Sequence, residues 1–342
     1  MFANATKVLW LVSVIVASPA LVQAQPSDVV EVTNGDTING TVSGLERGTL
    51  SFRTAAAGTL SITWGEVVHV TSTQNLDIEL MTGERFVGSI TSPTPKTLIV
   101  QTATGPSRPI AMADVVYITL IEEGFRGRTS GSLDFGFMFA TLNNTRTYTL
   151  DGELAYHSPA HAYETDVTFN SWLSARDDVD KETRNALALE LRRRLPSRWF
   201  AVGMLEGQQD DELQLDARVL AGGGIGRMLV KSSHAEFSAQ GGLDYDGERY
   251  DGDDSFANSV EVFGGVDWDW FAGSSTEARV VATTYVSLER ERVRLEWDAS
   301  VRRNIFWSLY WAANVYDSFD SDPPSDQPRS SLGVSLTFGW SF

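Results

Sequence analysis

The sequence predicts an all-β protein: a transmembrane antiparallel β-barrel of about 12 strands, preceded by a small β-domain built from two repeats. Three observations predict it. From about residue 127 onward, apolar and polar residues alternate with period two in about twelve stretches separated by turn-like residues, the pattern of strands. Two segments between residues 29 and 118 align without gaps at a spacing of 48. The composition is rich in Gly (29), Phe (17), Trp (10) and Tyr (9) and lacks cysteine, which favours β structure and leaves neither a disulfide framework nor thiolate chemistry.

The elements follow in chain order. Residues 1–24 read as a secretory signal peptide: Lys7 gives a positive start, Val8 to Ala17 an apolar core, and Val22-Gln23-Ala24 a small-residue cleavage pattern, with Gln25 as the expected mature start. The apolar run is too short to span about 30 Å of hydrocarbon as a helix, and no other stretch approaches the roughly 20 apolar residues a membrane helix needs. Any membrane crossing is therefore expected to be made by strands.

Residues 25–72 and 73–120 are the two repeats. Gly35 matches Gly83, Gly40 matches Gly88, Thr49-Leu50 matches Thr97-Leu98, and Val67 to Val70 matches Val115 to Ile118. Asn34-Gly35 and Thr82-Gly83 stand where tight hairpin turns are expected. Alternation, a turn glycine and a second glycine five residues on resemble the opening strand pair of Sm-like domains, so each copy is expected to be a small SH3-like or Sm-like barrel of four or five strands. Sm-like domains often bind RNA. A formal net charge of −18, from 45 acidic and 27 basic residues, argues against nucleic acid, because phosphate binding needs a basic surface. A periplasmic protein partner for residues 25–120 is the expectation instead. Residues 121–130 lose the alternation and read as a linker.

Residues 131–342 read as the barrel. Between Arg292 and Arg302, Val293, Leu295, Trp297, Ala299 and Val301 make one face, and Arg292, Arg294, Glu296, Asp298, Ser300 and Arg302 make the other. A soluble sandwich would bury the first face and wet the second. A membrane barrel inverts this, turning the apolar face to lipid and the polar face inward. Repetition of the pattern over more than 200 residues with little helix favours the barrel. The connections agree. Short turns are expected at 158–161, 195–198, 231–234, 272–275 and near Phe306, on the periplasmic side. Longer acidic loops are expected at 176–181, 207–212, 246–258 and 317–328 on the outside. Eight of ten tryptophans fall in this half, several near strand ends, as interfacial girdles require. Arg192, Arg193, Arg194 and Arg198 cluster near an inside turn, within reach of lipid headgroups.

The stretch GSLDFGFMFATLNNTRTYTLDGELAY (131–156), with its GSLDFGF and the Asn143-Asn144-Thr145 turn, the AGGGIGR run (221–227) and the terminal GWSF resemble the salt-induced outer-membrane protein family. That resemblance implies an outer-membrane barrel domain of unknown function and implies no catalytic residues. The closing aromatic resembles the signal read by the barrel-assembly machinery, carried here by Phe338, Trp340 and Phe342.

Candidate sites are few. On this topology the interior holds Asp267, Asp269, Glu277 and Arg279, together with Arg294, Glu296, Asp298 and Arg302, whose mixed signs predict crossed ion pairs and a narrow or closed lumen. Asp246, Asp251, Asp253 and Asp254 form a carboxylate-rich stretch that is a weak Ca²⁺ candidate, the closing Glu of an EF-hand being absent, with a solvated acidic loop as the plainer reading. AGGGIGR lacks the phosphate-loop pattern, and its break in alternation predicts a bulge. His157 and His161 flank Pro159 and do not match a zinc motif, and His157, His161 and His234 fall on the periplasmic side. No cofactor is expected. The expected function is a non-enzymatic outer-membrane protein of a Gram-negative bacterium, envelope-structural or stress-related, with its N-terminal module in the periplasm. Its expected partners are outer-membrane lipid, lipopolysaccharide and the assembly machinery. A narrow channel for small solutes is the alternative, and a lipid or peptide hydrolase at the barrel rim the third reading.

Overall fold

The computed structural model describes residues 28–121, 128–140, 145–158, 162–175, 181–252, 256–273, 275–306, 308–323 and 329–341. The expected signal peptide, most of the expected linker, His161, Asp253, Asp254 and Phe342 lie outside the described residues.

Ten strands form the N-terminal module: β1 (Asp28–Val32), β2 (Thr37–Glu46), β3 (Thr49–Thr54), β4 (Gly58–Thr63), β5 (Val67–Leu80), β6 (Arg85–Thr91), β7 (Thr97–Thr102), β8 (Gly105–Pro106), β9 (Ile110–Ala111) and β10 (Val115–Leu120). They pair in the order β4-β3-β2-β1-β5-β6-β7-β8, and β10 closes across β2 and β5. Gly35 and Gly83 take positive φ values of 85° and 81° in the first turn of each half, a conformation in which a side chain is strained. Short 3₁₀ turns, Trp64–Glu66 and Met112–Asp114, precede β5 and β10. The Trp64 indole donates to the Met112 carbonyl at 2.7 Å and ties the two turns together. Position 72/73 is not a break. β5 runs through it, its first part pairing with β1 and its last with β6 and β10, and a register shift between Ser72 and Leu76 lets one strand serve both halves. The inward side chains, among them Val30, Val42, Phe52, Val70, Ile78, Ile90 and Ile118, form one buried apolar core.

Twelve further strands close into a barrel: β11 (Thr129–Ala140), β12 (Thr145–His157), β13 (Tyr163–Ala175), β14 (Glu182–Arg194), β15 (Trp199–Asp210), β16 (Leu215–Lys231), β17 (Ala235–Tyr250), β18 (Ala257–Ala272), β19 (Thr276–Ser287), β20 (Val293–Phe306), β21 (Leu309–Asp320) and β22 (Ser330–Ser341). Each pairs antiparallel with the next, and β11 meets β22. The first strand thus starts at Thr129, inside the expected linker.

Here the pattern of burial is inverted. On β14, Leu187, Leu189 and Leu191 point outward and are exposed, Leu187 at 58 %. Outward aromatics gather at the two ends: Tyr163, Trp199, Trp268, Trp270, Phe306 and Trp340 near the short turns, and Phe137, Tyr148, Tyr245 and Phe256 near the opposite rim. Arg193 lies over the Tyr163 ring and Arg227 over the Trp199 ring, which sets cations beside the first belt. No described helix is long and apolar enough to cross a membrane, which says nothing of a crossing by strands.

Three expected loops are shorter than the sequence implied. Residues 207–210, 246–250 and 317–320 belong to strands β15, β17 and β21. Their inward positions carry Gln208, Asp210, Asp246, Glu248 and Asp320, so the charge that resembles a solvated loop belongs to a lumen-facing strand face. In β16 a register shift falls between Met228 and Val230, where the alternation of the sequence breaks. Gly226 and Gly242 leave room inside the barrel for the Phe200 and Phe263 rings, and a Cβ at either would meet those rings at 2.3 and 2.7 Å.

Candidate functional site

Lumen-facing positions of β16 to β21 build a network of opposed charges. Arg292 meets Glu248 at 2.8 Å and Asp320 at 2.5 Å. Arg294 meets Glu261 at 2.6 Å, Glu296 at 3.5 Å and Asp246 at 3.6 Å. Arg218 reaches Glu248 and, at 3.7 Å, Asp246. Asp246 is 1 % and Arg294 3 % exposed, so these pairs are shielded and depend on one another, and removing one partner would strand a charge. Toward the short-turn end, Arg279 holds Asp267 at 2.7 Å and Asp269 at 3.8 Å, and Arg302 approaches Glu277 at 3.9 Å.

The four residues singled out on β20 therefore share the inward face but not one pairing. Arg294 and Glu296 pair, Arg302 lies 4.4 Å over the Tyr310 ring, and Asp298 points into the cavity described below. The two Ca²⁺ candidates among the described residues do not come together: Asp246 faces the lumen between Arg218 and Arg294, whereas Asp251 is exposed in the turn after β17. Among the described residues no group of three or more His, Asp or Glu is placed to hold a metal ion. His157 pairs with Glu164 at 2.9 Å. Phe338 and Trp340 lie on the outward face of β22, opposite Phe135 and Leu133 of β11. Of the arginine cluster, Arg193 turns outward to Tyr163, Arg192 pairs with Glu190, Arg194 turns to the module, and Arg198 donates to the Leu229 carbonyl at 3.1 Å.

That last contact belongs to a feature the sequence pattern did not reveal. The N-terminal module sits on the short-turn rim of the barrel. Glu79 of β5 accepts from Lys231 at 2.7 Å and from Arg194 at 3.0 Å. Arg47 meets Glu277 at 2.9 Å and lies 4.6 Å over the Phe271 ring. The Tyr117 hydroxyl donates to Glu236 at 3.0 Å beneath the Lys231 ammonium. Burial by itself would raise the Glu79 pKa, but Lys231 and Arg194 outweigh it and hold the carboxyl below its ordinary value. Burial, reinforced by Glu236 and Glu46, pushes the Tyr117 phenol well above its usual value. No local signal points here: Asp77 and Glu79 alternate with Leu76, Ile78 and Leu80 as in any two-faced strand.

Away from this cap, Phe200, Val202, Leu220, Phe263 and Tyr285 pack against one another inside the barrel. Beyond them the lumen opens into a cavity of about 950 Å³, lined by Asp151, Arg184, Glu206, Arg218, Arg294 and Asp298 among others.

A closed antiparallel barrel, apolar outside, charged inside and capped at one rim by its own N-terminal domain, is the class of protein these features define. The chain belongs to the family described as "Protein of unknown function, DUF481", which matches residues 133–342, more than half of its length. No curated protein matches the sequence. Among solved structures, the translocator domain of the autotransporter NalP from Neisseria meningitidis is similar at 10 % identity, over 62 % of this chain and 86 % of that one, with a TM-score of 0.38. The β domain of the Bordetella autotransporter BrkA is similar at 10 % identity, over 63 % and 97 %, with a TM-score of 0.34. A porin is similar at 10 % identity, over 92 % and 98 %, with a TM-score of 0.31. The identities and TM-scores are low in all three.

Proposed function

We propose that the chain is a non-enzymatic outer-membrane barrel whose N-terminal module stands in the periplasm and stoppers the barrel from that side. The observation that carries this reading is the buried Glu79–Lys231–Arg194 contact at the rim, set beneath an outer wall whose apolar band ends in aromatic belts. Short turns at the capped rim support the periplasmic assignment. The two halves of the module are read as a duplicated SH3-like or Sm-like unit, in keeping with the 48-residue alignment. Outer-membrane lipid and lipopolysaccharide are the surroundings, and the barrel-assembly machinery is the route into them. A structural or stress-related role in the envelope follows the resemblance to the salt-induced outer-membrane family.

Planar-bilayer conductance of the full chain tests the stopper. The wild type is expected to be silent, and Glu79→Lys combined with Arg47→Glu is expected to conduct because like charges then face each other across the rim. Steady conductance by the wild type would favour the second reading, a narrow channel, whose supporting observation is the charged cavity on the far side of the lumen. A mature protein soluble without detergent and lacking heat-modifiable gel migration would contradict the membrane assignment itself.

A further inference from the structure

The barrel wall is incomplete at one place. All other neighbouring strands share eleven to fifteen paired residues. β11 and β22 share four: Ser132 with Ser341, Leu133 with Trp340, Asp134 with Gly339 and Phe135 with Phe338. The same register would continue as Gly136 with Thr337 and Phe137 with Leu336. Both strands extend past these residues, β11 to Ala140 and β22 back to Ser330, but no ladder joins them there. Asp134 fastens the joined part, accepting from the Tyr310 hydroxyl at 2.6 Å and the Thr337 hydroxyl at 3.3 Å. Beyond it the ladder stops, on the side away from the cap, with Gly136 still close to Thr337 and the Leu336 carbonyl.

Two further observations meet at this slit. The outward side chains of β22 beside it are exposed: Val334 is 71 % and Leu332 67 % exposed, the highest values among the large apolar residues described. The lumen cavity also reaches the slit, since Phe137, Val334 and Leu336 line it together with the inward-facing Thr149, Asp151 and Asn170. Unpaired strand backbone facing hydrocarbon is costly, so a slit at membrane depth is tolerated where it opens onto a polar interior or is filled by something that is itself part polar.

The cavity behind the slit selects a sign of charge. Asp151 and Asp298 both line it. Asp151 has one hydrogen-bond partner, Asn170, and among the described residues neither Glu206 nor Asp298 forms an ion pair. Over the whole lining seven carboxylates stand against four arginines, Arg184, Arg218, Arg294 and Arg329, which leaves the cavity short of positive charge. Its mouth is lined by phenyl and aliphatic groups.

We infer that the slit between β11 and β22 admits a single-chain amphiphile with a cationic head from the surrounding bilayer. The tail lies against Phe135, Phe137, Val334 and Leu336, and the head reaches Asp151, Asp298 and Glu206. The entry is lateral, so it leaves the cap in place. The inference rests on the reading that the outward face meets lipid, and incorporation of the full chain into lipid nanodiscs tests that reading separately.

The experiment titrates the full-length protein in nanodiscs with decyltrimethylammonium, decyl sulfate and tetramethylammonium, against protein-free nanodiscs. The expected result is a saturable site that takes decyltrimethylammonium at least about tenfold more tightly than either of the others. The double variant Asp151→Asn/Asp298→Asn is expected to weaken it by about tenfold or more while heat-modifiable migration is unchanged. Because the chain has no cysteine, Phe137→Cys/Leu336→Cys allows one disulfide across the slit. Its oxidised form is expected to bind at least about tenfold more slowly than its own reduced form. Equal affinity for both head charges, unchanged binding in the Asn variant, or equal rates in the oxidised and reduced forms would each overturn the inference. Failure to enter nanodiscs would instead overturn the membrane reading beneath it.

Discussion

The module and the barrel use one strand grammar in two opposite ways. In the module, alternate apolar residues such as Phe52 and Ile78 are sealed in a core, and the polar face is outside. In the barrel, alternate apolar residues such as Leu187 and Val334 are outside, while Asp246, Glu248, Arg292 and Arg294 are sealed within. Alternation therefore reports that a strand has two unlike faces and does not report which solvent each face meets. What separates the cases is closure. The module folds its sheet over a compact apolar core, whereas the twelve-strand ring encloses a lumen that holds a charge network and a cavity, and leaves its apolar face to the surroundings.

The largest expected effect falls on the conventional core. Phe52→Ala is expected to destabilise the module by about 3–5 kcal/mol, because the hole it leaves has nothing to fill it. Hydrogen exchange should report an opened module while the barrel keeps its heat-modifiable migration. Next comes the seam between the two regions. Glu79→Gln leaves Lys231 and Arg194 facing each other across a buried contact, and docking should weaken by about 3 kcal/mol, read as lost exchange protection at the rim. The same residue fixes a pH dependence. Its folded-state pKa is depressed, so its contribution is present at neutral pH, persists as pH falls through the ordinary glutamate value of 4.5, and is lost only below it. The Gln variant should lack that acid step.

On the barrel's outer face the ordering reverses. Leu187→Arg is expected to cost about 2–3 kcal/mol in lipid, measured by denaturant titration in vesicles. Leu187→Ala should cost less than Phe52→Ala, because lipid tails take up the vacated space. The smallest effect is expected from Tyr117→Phe, which removes one hydrogen bond to Glu236 and should loosen the rim contact by about 1 kcal/mol.

Much of the barrel was legible in the sequence because each strand carries its own evidence. Arg292 to Arg302 shows both faces without reference to any neighbour, and turns such as 195–198 and 231–234 fall between such stretches. Errors arose where a strand's inward face was so charged that it resembled a loop, as at Asp246 and Glu248. Their cations come from Arg218, Arg292 and Arg294, on strands paired only after folding. The cap was illegible for the same reason: Glu79 and Lys231 are far apart in the chain, and neither belongs to a motif. The slit between β11 and β22 is a property of where a ladder stops, and no residue type announces it.

The central claim, that the barrel is apolar outside and polar within, is tested most directly by labelling single cysteines introduced in turn at 186 to 191 of β14 with a nitroxide. The full chain is then reconstituted in vesicles, and each site's relaxation by oxygen is compared with relaxation by a water-soluble nickel complex. The account predicts an alternation, with Leu187, Leu189 and Leu191 relaxed by oxygen and shielded from nickel, and Ala186, Ala188 and Glu190 not following them. Nickel access at Leu187, Leu189 and Leu191 equal to that of their neighbours would contradict it.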